Sequence, residues 1–303
     1  MPESLSPRRR RVYLPAGREE SRRSLMERTA DNLRPLFDYD AERPPAIEIA
    51  GTDVSVTDLT YQTAPDRGVR AYLVAPAEVD RSKRSAAILF LHPGLGSRAT
   101  FLAEAVALAG MGAASLLVDA PWAADTAAAW GQAVTDPGEA VREHNRTVID
   151  LRRGIDLLVA QPGVEPDRIG FVGHSVGALF GAVLAGVDRR LAAAVLMTGT
   201  GRFVDVAAVN LPDLQGEKFE HYRRTLAELD PAVWVGRAAP TPLFFQAALR
   251  DEFFTEEQAR EFFERANDPK SMKWYDAGHY LDEAARRDRV AWLAGMLSLE
   301  RSR

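Results

Sequence analysis

The sequence predicts an α/β fold: a mostly parallel sheet with helices on both faces and a small helical cap. Three observations predict it. From residue 86 onward, short apolar runs alternate with longer stretches of helical spacing. The runs are continuous rather than alternating, as in strands buried on both faces. The pentapeptide Gly173-His174-Ser175-Val176-Gly177 lies between the run Ile169 to Val172 and a stretch rich in small residues. A G-x-S-x-G sequence in that setting is a sharp strand-to-helix turn with a serine at its tip.

The elements follow in order. Residues 1–50 read as an N-terminal tail and helix, and residues 51–303 as one domain. Arg8-Arg9-Arg10-Arg11 belong to a solvated tail, since no apolar segment follows them as in a leader. Over 18–37, Leu25, Met26, Leu33, Leu36 and Phe37 share one face of a helix, which Pro44-Pro45 end. Val54 to Tyr61 and Val69 to Val74 form a hairpin around Pro65-Asp66-Arg67-Gly68. Then come a strand Ala86 to Leu91, a helix over 99–110 and a strand Ala114 to Val118. A long helix over about 140–160 carries Val148, Leu151, Ile155 and Leu158 on one face. The strand before Ser175 is followed by Leu191 to Met197, Leu243 to Gln246 and Met272 to Tyr275. A closing helix aligns Val290, Leu293 and Leu297. Residues 199–238 interrupt this rhythm with an acidic, partly helical stretch including Glu217, His221, Tyr222 and Leu226. It reads as a cap over the carboxyl ends of the strands, where ligands of α/β sheets bind.

Composition narrows the function. The chain has 303 residues, 46% hydrophobic and 27% charged, with a net charge of −5. That acidic balance argues against a nucleic-acid partner. No apolar run is long enough for a membrane span. With no cysteine, disulfides, thiolate metal sites and cysteine nucleophiles are excluded. The histidines are scattered without metal-ligand spacing, so neither a metal nor another cofactor is expected. The expected compartment is the cytoplasm.

A serine hydroxyl is a weak nucleophile that needs a base within hydrogen-bond reach and a third group to orient that base. Of the five histidines, His279 lies in a loop between the last strand and the last helix, at the sheet edge expected for Ser175. Asp251 follows the strand Leu243 to Gln246 and is the expected acid, with Glu252 and Asp276 as rivals. Acyl transfer also requires donors aimed at the developing oxyanion. Val176 supplies one N–H, and either Gly94 or Leu95 in His92-Pro93-Gly94-Leu95-Gly96 supplies the other. His92 is expected to brace that loop. Trp122, Phe203 and Tyr280 are candidate pocket walls, with Glu143 and His144 at the start of the long helix.

On these motifs the chain resembles the α/β-hydrolase superfamily, in its dienelactone hydrolase and acetyl xylan esterase-like branch. The resemblance covers roughly residues 50–300 and includes the order Ser175, Asp251, His279. It implies an eight-stranded, mostly parallel sheet and hydrolysis of a small-molecule carboxylic ester through an acyl-enzyme. Dienelactone hydrolases proper carry a cysteine nucleophile, replaced here by serine. The same triad also serves lyases and acyltransferases, which is the alternative reading. Gly94-Leu95-Gly96-Ser97-Arg98-Ala99 with Asp119 outlines a dinucleotide fingerprint, but too far into the chain for an opening βαβ unit. The N-terminal helix has two open placements, over the active-site mouth or in a homodimer contact.

Overall fold

The computed structural model describes residues 47–52, 56–76, 84–123, 125–211 and 213–299. The arginine-rich tail and the helix expected over 18–37 lie outside these residues. The strands are β1 (Ile47–Thr52), β2 (Val56–Ala64), β3 (Arg67–Val74), β4 (Ser85–Leu91), β5 (Ala114–Val118), β6 (Val164–His174), β7 (Leu191–Met197), β8 (Leu243–Ala248) and β9 (Lys270–Tyr275). They form one sheet in the order β1-β2-β3-β5-β4-β6-β7-β8-β9. Pairings from β1 through β3 to β5 are antiparallel. Every pairing from β5 across to β9 is parallel. The mostly parallel sheet of the α/β-hydrolase fold is present, and β1 adds a ninth, antiparallel strand at its edge. That strand was not legible, because a short edge strand carries neither a long apolar run nor a turn signal.

The helices are α1 (Leu102–Ala109), α2 (Ala127–Ala133), α3 (Pro137–Val159), α4 (Val176–Val187), α5 (Phe203–Asn210), α6 (Gly216–Leu226), α7 (Pro231–Trp234), α8 (Glu256–Arg265) and α9 (Glu283–Met296). Side chains alternate across a strand, and β4 divides its residues accordingly. Ala87, Leu89 and Leu91 enter one core, with Val148, Leu151 and Ile155 of α3 and most of α4. Ala86, Ile88 and Phe90 enter the other, with Ala105 and Leu108 of α1 and Leu293 of α9. Both faces are therefore dry, which is why the parallel strands read as unbroken apolar runs.

Local chemistry sets the helix ends. Asp136 caps α3 by accepting from the Glu139 N–H at 2.8 Å, with Pro137 in the first turn. Thr255 and Gln258 form a capping box at the start of α8, and Asp282 caps α9. The crossovers from β4 and β6 leave on opposite faces, α1 on one and α4 on the other. Their loops diverge at the carboxyl edge of adjacent strands and open a crevice there. Among the described residues no helix is long and apolar enough to cross a membrane.

One buried ion pair ties α9 to α1. Arg289 donates from Nε to both Glu104 oxygens, at 2.9 and 3.0 Å, and from a second nitrogen to Oε2. Both side chains are buried. Removing one partner strands the other charge, so Arg289→Met should destabilise the fold by about 3–5 kcal/mol in urea unfolding. The paired replacement Glu104→Leu with Arg289→Met should restore most of that loss.

Candidate active site

β6 ends at His174 and α4 begins at Val176, so Ser175 alone makes the turn, with φ 55° and ψ −119°. Positive φ is strained for a residue bearing a Cβ and persists only where the surroundings enforce it. Here they do. A Cβ on Gly173 would lie 2.3 Å from the Gly177 oxygen, and one on Gly177 would lie 2.4 Å from the Leu91 oxygen. The Ser175 N–H donates to the Met197 carbonyl at 2.8 Å, which locks the turn to β7. Ser175 Oγ has no hydrogen-bond partner among the described residues.

His279 lies in the loop between β9 and α9. Asp251, just after β8, faces its Nδ1 with both oxygens, at 2.9 and 3.0 Å. A carboxylate only accepts, so Nδ1 carries a proton, and in the neutral ring Nε2 is the acceptor. Asp251 Oδ1 also accepts from the N–H groups of Phe253 and Phe254, at 2.9 and 3.1 Å. Burial pushes the Asp251 carboxyl up, but the bonds from His279 and these two N–H groups outweigh it and hold the pKa below the ordinary value. The rivals have other partners. Glu252 accepts from the His279 backbone N–H at 2.9 Å, and exposed Asp276 pairs with Arg250 at 3.1 Å.

The His279 carbonyl is held as well. It accepts from His174 Nε2 at 2.9 Å and from Thr198 Oγ1 at 3.0 Å. Burial, and after it the neighbouring His279, push the His174 pKa down to about 3, so this ring is a neutral donor. The His174 and His279 ring centroids are 5.1 Å apart. The residue before Ser175 therefore grips the loop that carries His279. Sequence reasoning missed this clamp, because its partners are separated by 105 and 81 positions.

The loop after β4 turns from Pro93 to Gly96, whose N–H donates to the Pro93 carbonyl at 3.1 Å. Leu95 has φ 58° at this turn, and the Gly94 and Leu95 N–H groups have no acceptor among the described residues. His92 braces the loop as expected. Its Nδ1 donates to the Pro93 carbonyl at 2.7 Å, and its Nε2 accepts from the Ala120 N–H at 3.0 Å. Asp119 is engaged by the Arg98 N–H at 2.7 Å and by the guanidiniums of Arg70 and Arg98. Its carboxylate thus ties the loop to β5.

A cavity of about 450 Å³ opens beside this turn, lined by Gly94, Leu95 and Val176 at its near end. Trp122, His144 and Phe203 are among its lining residues. Glu143 and Tyr280 are not. Glu143 points to Arg67 and Arg146, at 3.2 and 2.8 Å, because the next helical position turns away from the cavity. Tyr280, 68% exposed, packs edge-on against His174 and His279. One wall comes from α5 and α6 of the segment between β7 and β8, through Phe203, Ala207 and Tyr222. Trp130 of α2 also lines it, an element the sequence reading leaves unassigned. The alanine-rich run 127–129 ahead of Trp130 is the available signal.

The comparisons agree with this architecture. Residues 69–292 match the dienelactone hydrolase family. Among solved structures, the acetyl xylan esterase from Paenibacillus sp. R4 is 17% identical, with a TM-score of 0.70 over 89% of this chain and 94% of that one. Acetyl xylan esterase 1 from Thermoanaerobacterium sp. JW/SL YS485 is 13% identical, with a TM-score of 0.70 over 89% and 93%. A cold-adapted esterase from an Arctic intertidal metagenomic library is 17% identical, with a TM-score of 0.58 over 83% and 97%. No curated protein sequence matches the chain.

Two predictions follow from the site's geometry. Asp251→Asn should keep the fold but turn an amide NH2 towards His279 Nδ1, since its oxygen keeps the Phe253 and Phe254 N–H groups, and so favour the wrong tautomer. Labelling of Ser175 by a fluorophosphonate should then slow by about 10³–10⁴-fold. The second concerns pH. Burial lowers the His144 pKa from 6.5 to about 4. Between these values the unfolded chain takes up a proton that folded His144 does not, so its contribution is lost as pH falls from 6.5 towards 4. His144→Phe should therefore flatten the pH dependence of unfolding free energy in that window, by about 1–3 kcal/mol.

Proposed function

We propose that this chain, which belongs to the dienelactone hydrolase family, cleaves a carboxylic ester of a small molecule through an acyl-enzyme on Ser175. The observation that carries this reading is the pairing of Asp251 with His279 Nδ1 on the loop gripped by the residue before Ser175. That pairing leaves Nε2 as the base. Ser175 Oγ attacks the ester carbonyl carbon while His279 Nε2 takes its proton. The carbonyl oxygen becomes an oxyanion held by the Val176 N–H and by Gly94 or Leu95. Asp251 stabilises the imidazolium without taking its proton. His279 then protonates the departing alcohol as the carbon–oxygen bond breaks. A water molecule, deprotonated by the same nitrogen, releases the acid and restores Ser175.

The similarity to acetyl xylan esterases and to another esterase supports an oxygen ester as the scissile group. The helices between β7 and β8 act in this reading as a cap that selects the substrate, since they form one wall of the cavity.

With p-nitrophenyl esters from acetate to decanoate, the native enzyme should release p-nitrophenol, and Ser175→Ala should lower kcat by about 10⁴-fold or more. Near-native activity in Ser175→Ala would contradict the proposal. Labelling of Ser175 by a fluorophosphonate without any hydrolysis would point instead to acyl transfer or elimination at the same site.

A further inference from the structure

The cavity that reaches Gly94, Leu95 and Val176 is lined mainly by apolar side chains. His144 is 5% exposed and lies among Trp130, Phe180 and Phe203, with centroids 6.3, 5.1 and 4.3 Å away. Its Nδ1 donates to the Ala140 carbonyl one helical turn back, at 2.6 Å. The ring is neutral, so Nε2 at its other end is a pure acceptor. Nε2 has no hydrogen-bond partner among the described residues and reaches the cavity surface. A largely apolar pocket thus presents an unanswered acceptor.

We infer that the cavity binds an aromatic ring bearing a hydroxyl group, and that His144 selects it. This rests on the ester-hydrolase reading for the ring's place in a substrate, as part of the acyl or the alcohol portion of an ester. The ring follows from the walls, because Trp122, Trp130 and Phe203 offer flat faces and edges that reward a planar group. The volume of about 450 Å³ exceeds what an acetyl group fills. The hydroxyl follows from His144 Nε2, an acceptor left unpaired in a mainly apolar wall. An alkyl chain would bury it without compensation, which is costly. An ammonium would answer it but would be buried as a charge in a lining that holds no carboxylate. A hydroxyl donates to Nε2 and carries no charge.

The test separates the pocket from the chemistry by measuring binding to Ser175→Ala, which does not turn over. Titrations with 4-ethylphenol, 4-ethylanisole and ethylbenzene are followed by tryptophan fluorescence and calorimetry. The phenol should bind on the order of tenfold more tightly than the anisole, the usual size of one buried hydrogen bond. His144→Phe should bring the two Kd values within about twofold of each other, as expected when only the acceptor is lost. Equal affinities for phenol and anisole in Ser175→Ala would overturn the inference whether or not His144→Phe folds. So would an undiminished preference in folded His144→Phe, or binding of methyl β-xyloside without binding of the phenol. A positive binding result with no esterase activity in the native enzyme would keep the pocket assignment and remove the hydrolase reading.

Discussion

The close approach of β4, β6 and α4 around Ser175 is the constraint on which the site depends. There is no room for a side chain at Gly173 or Gly177, and backbone atoms set both limits. This packing holds Ser175 at φ 55° against its intrinsic preference. The same geometry brings the first turn of α4 against the loop after β4, since Gly94, Leu95 and Val176 meet at one end of the cavity. The strained turn at one residue thus sits beside both the helix N-terminus and the loop after β4.

His279 is carried by a loop with little regular structure, yet it is fixed at both its backbone N–H and its carbonyl. Glu252 takes the His279 N–H, and His174 and Thr198 reach its carbonyl. Asp251 then needs only to set the ring. Because His174 belongs to the elbow and Thr198 to the end of β7, the loop is referenced to the strands that carry and flank the serine. Two carboxylates in sequence divide the work: Asp251 orients the imidazole and Glu252 orients the backbone beneath it. The cavity, by contrast, is assembled from segments between the strands, α2 together with α5 and α6. Such insertions change without disturbing the sheet, which is how one scaffold admits different substrates.

Legibility in the sequence follows the range of the interactions. Strands such as β4 and β5, buried on both faces, show as unbroken apolar runs and were readable to within a residue. The elbow was readable because its requirements are local: Gly173, Ser175 and Gly177 in five positions. His279 and Asp251 were readable as loop residues in the right chain order. The roles of Glu252, His174 and Thr198 around His279 were not, since each arises from packing of distant segments. Glu143 and Tyr280 failed as cavity residues for a similar reason: adjacency to His144 or His279 in sequence does not fix which way a side chain turns. α2 escaped notice because seven residues between two prolines give too short a window for a periodic signal.

The central claim is that Ser175 becomes acylated. Rapid mixing of the enzyme with p-nitrophenyl acetate, quenched in acid and analysed by peptide mass spectrometry, tests it most directly. The account predicts a burst of p-nitrophenol approaching one equivalent per active site and an acetyl group on the peptide at Ser175. Turnover without a burst and with no acyl group on that peptide would contradict it.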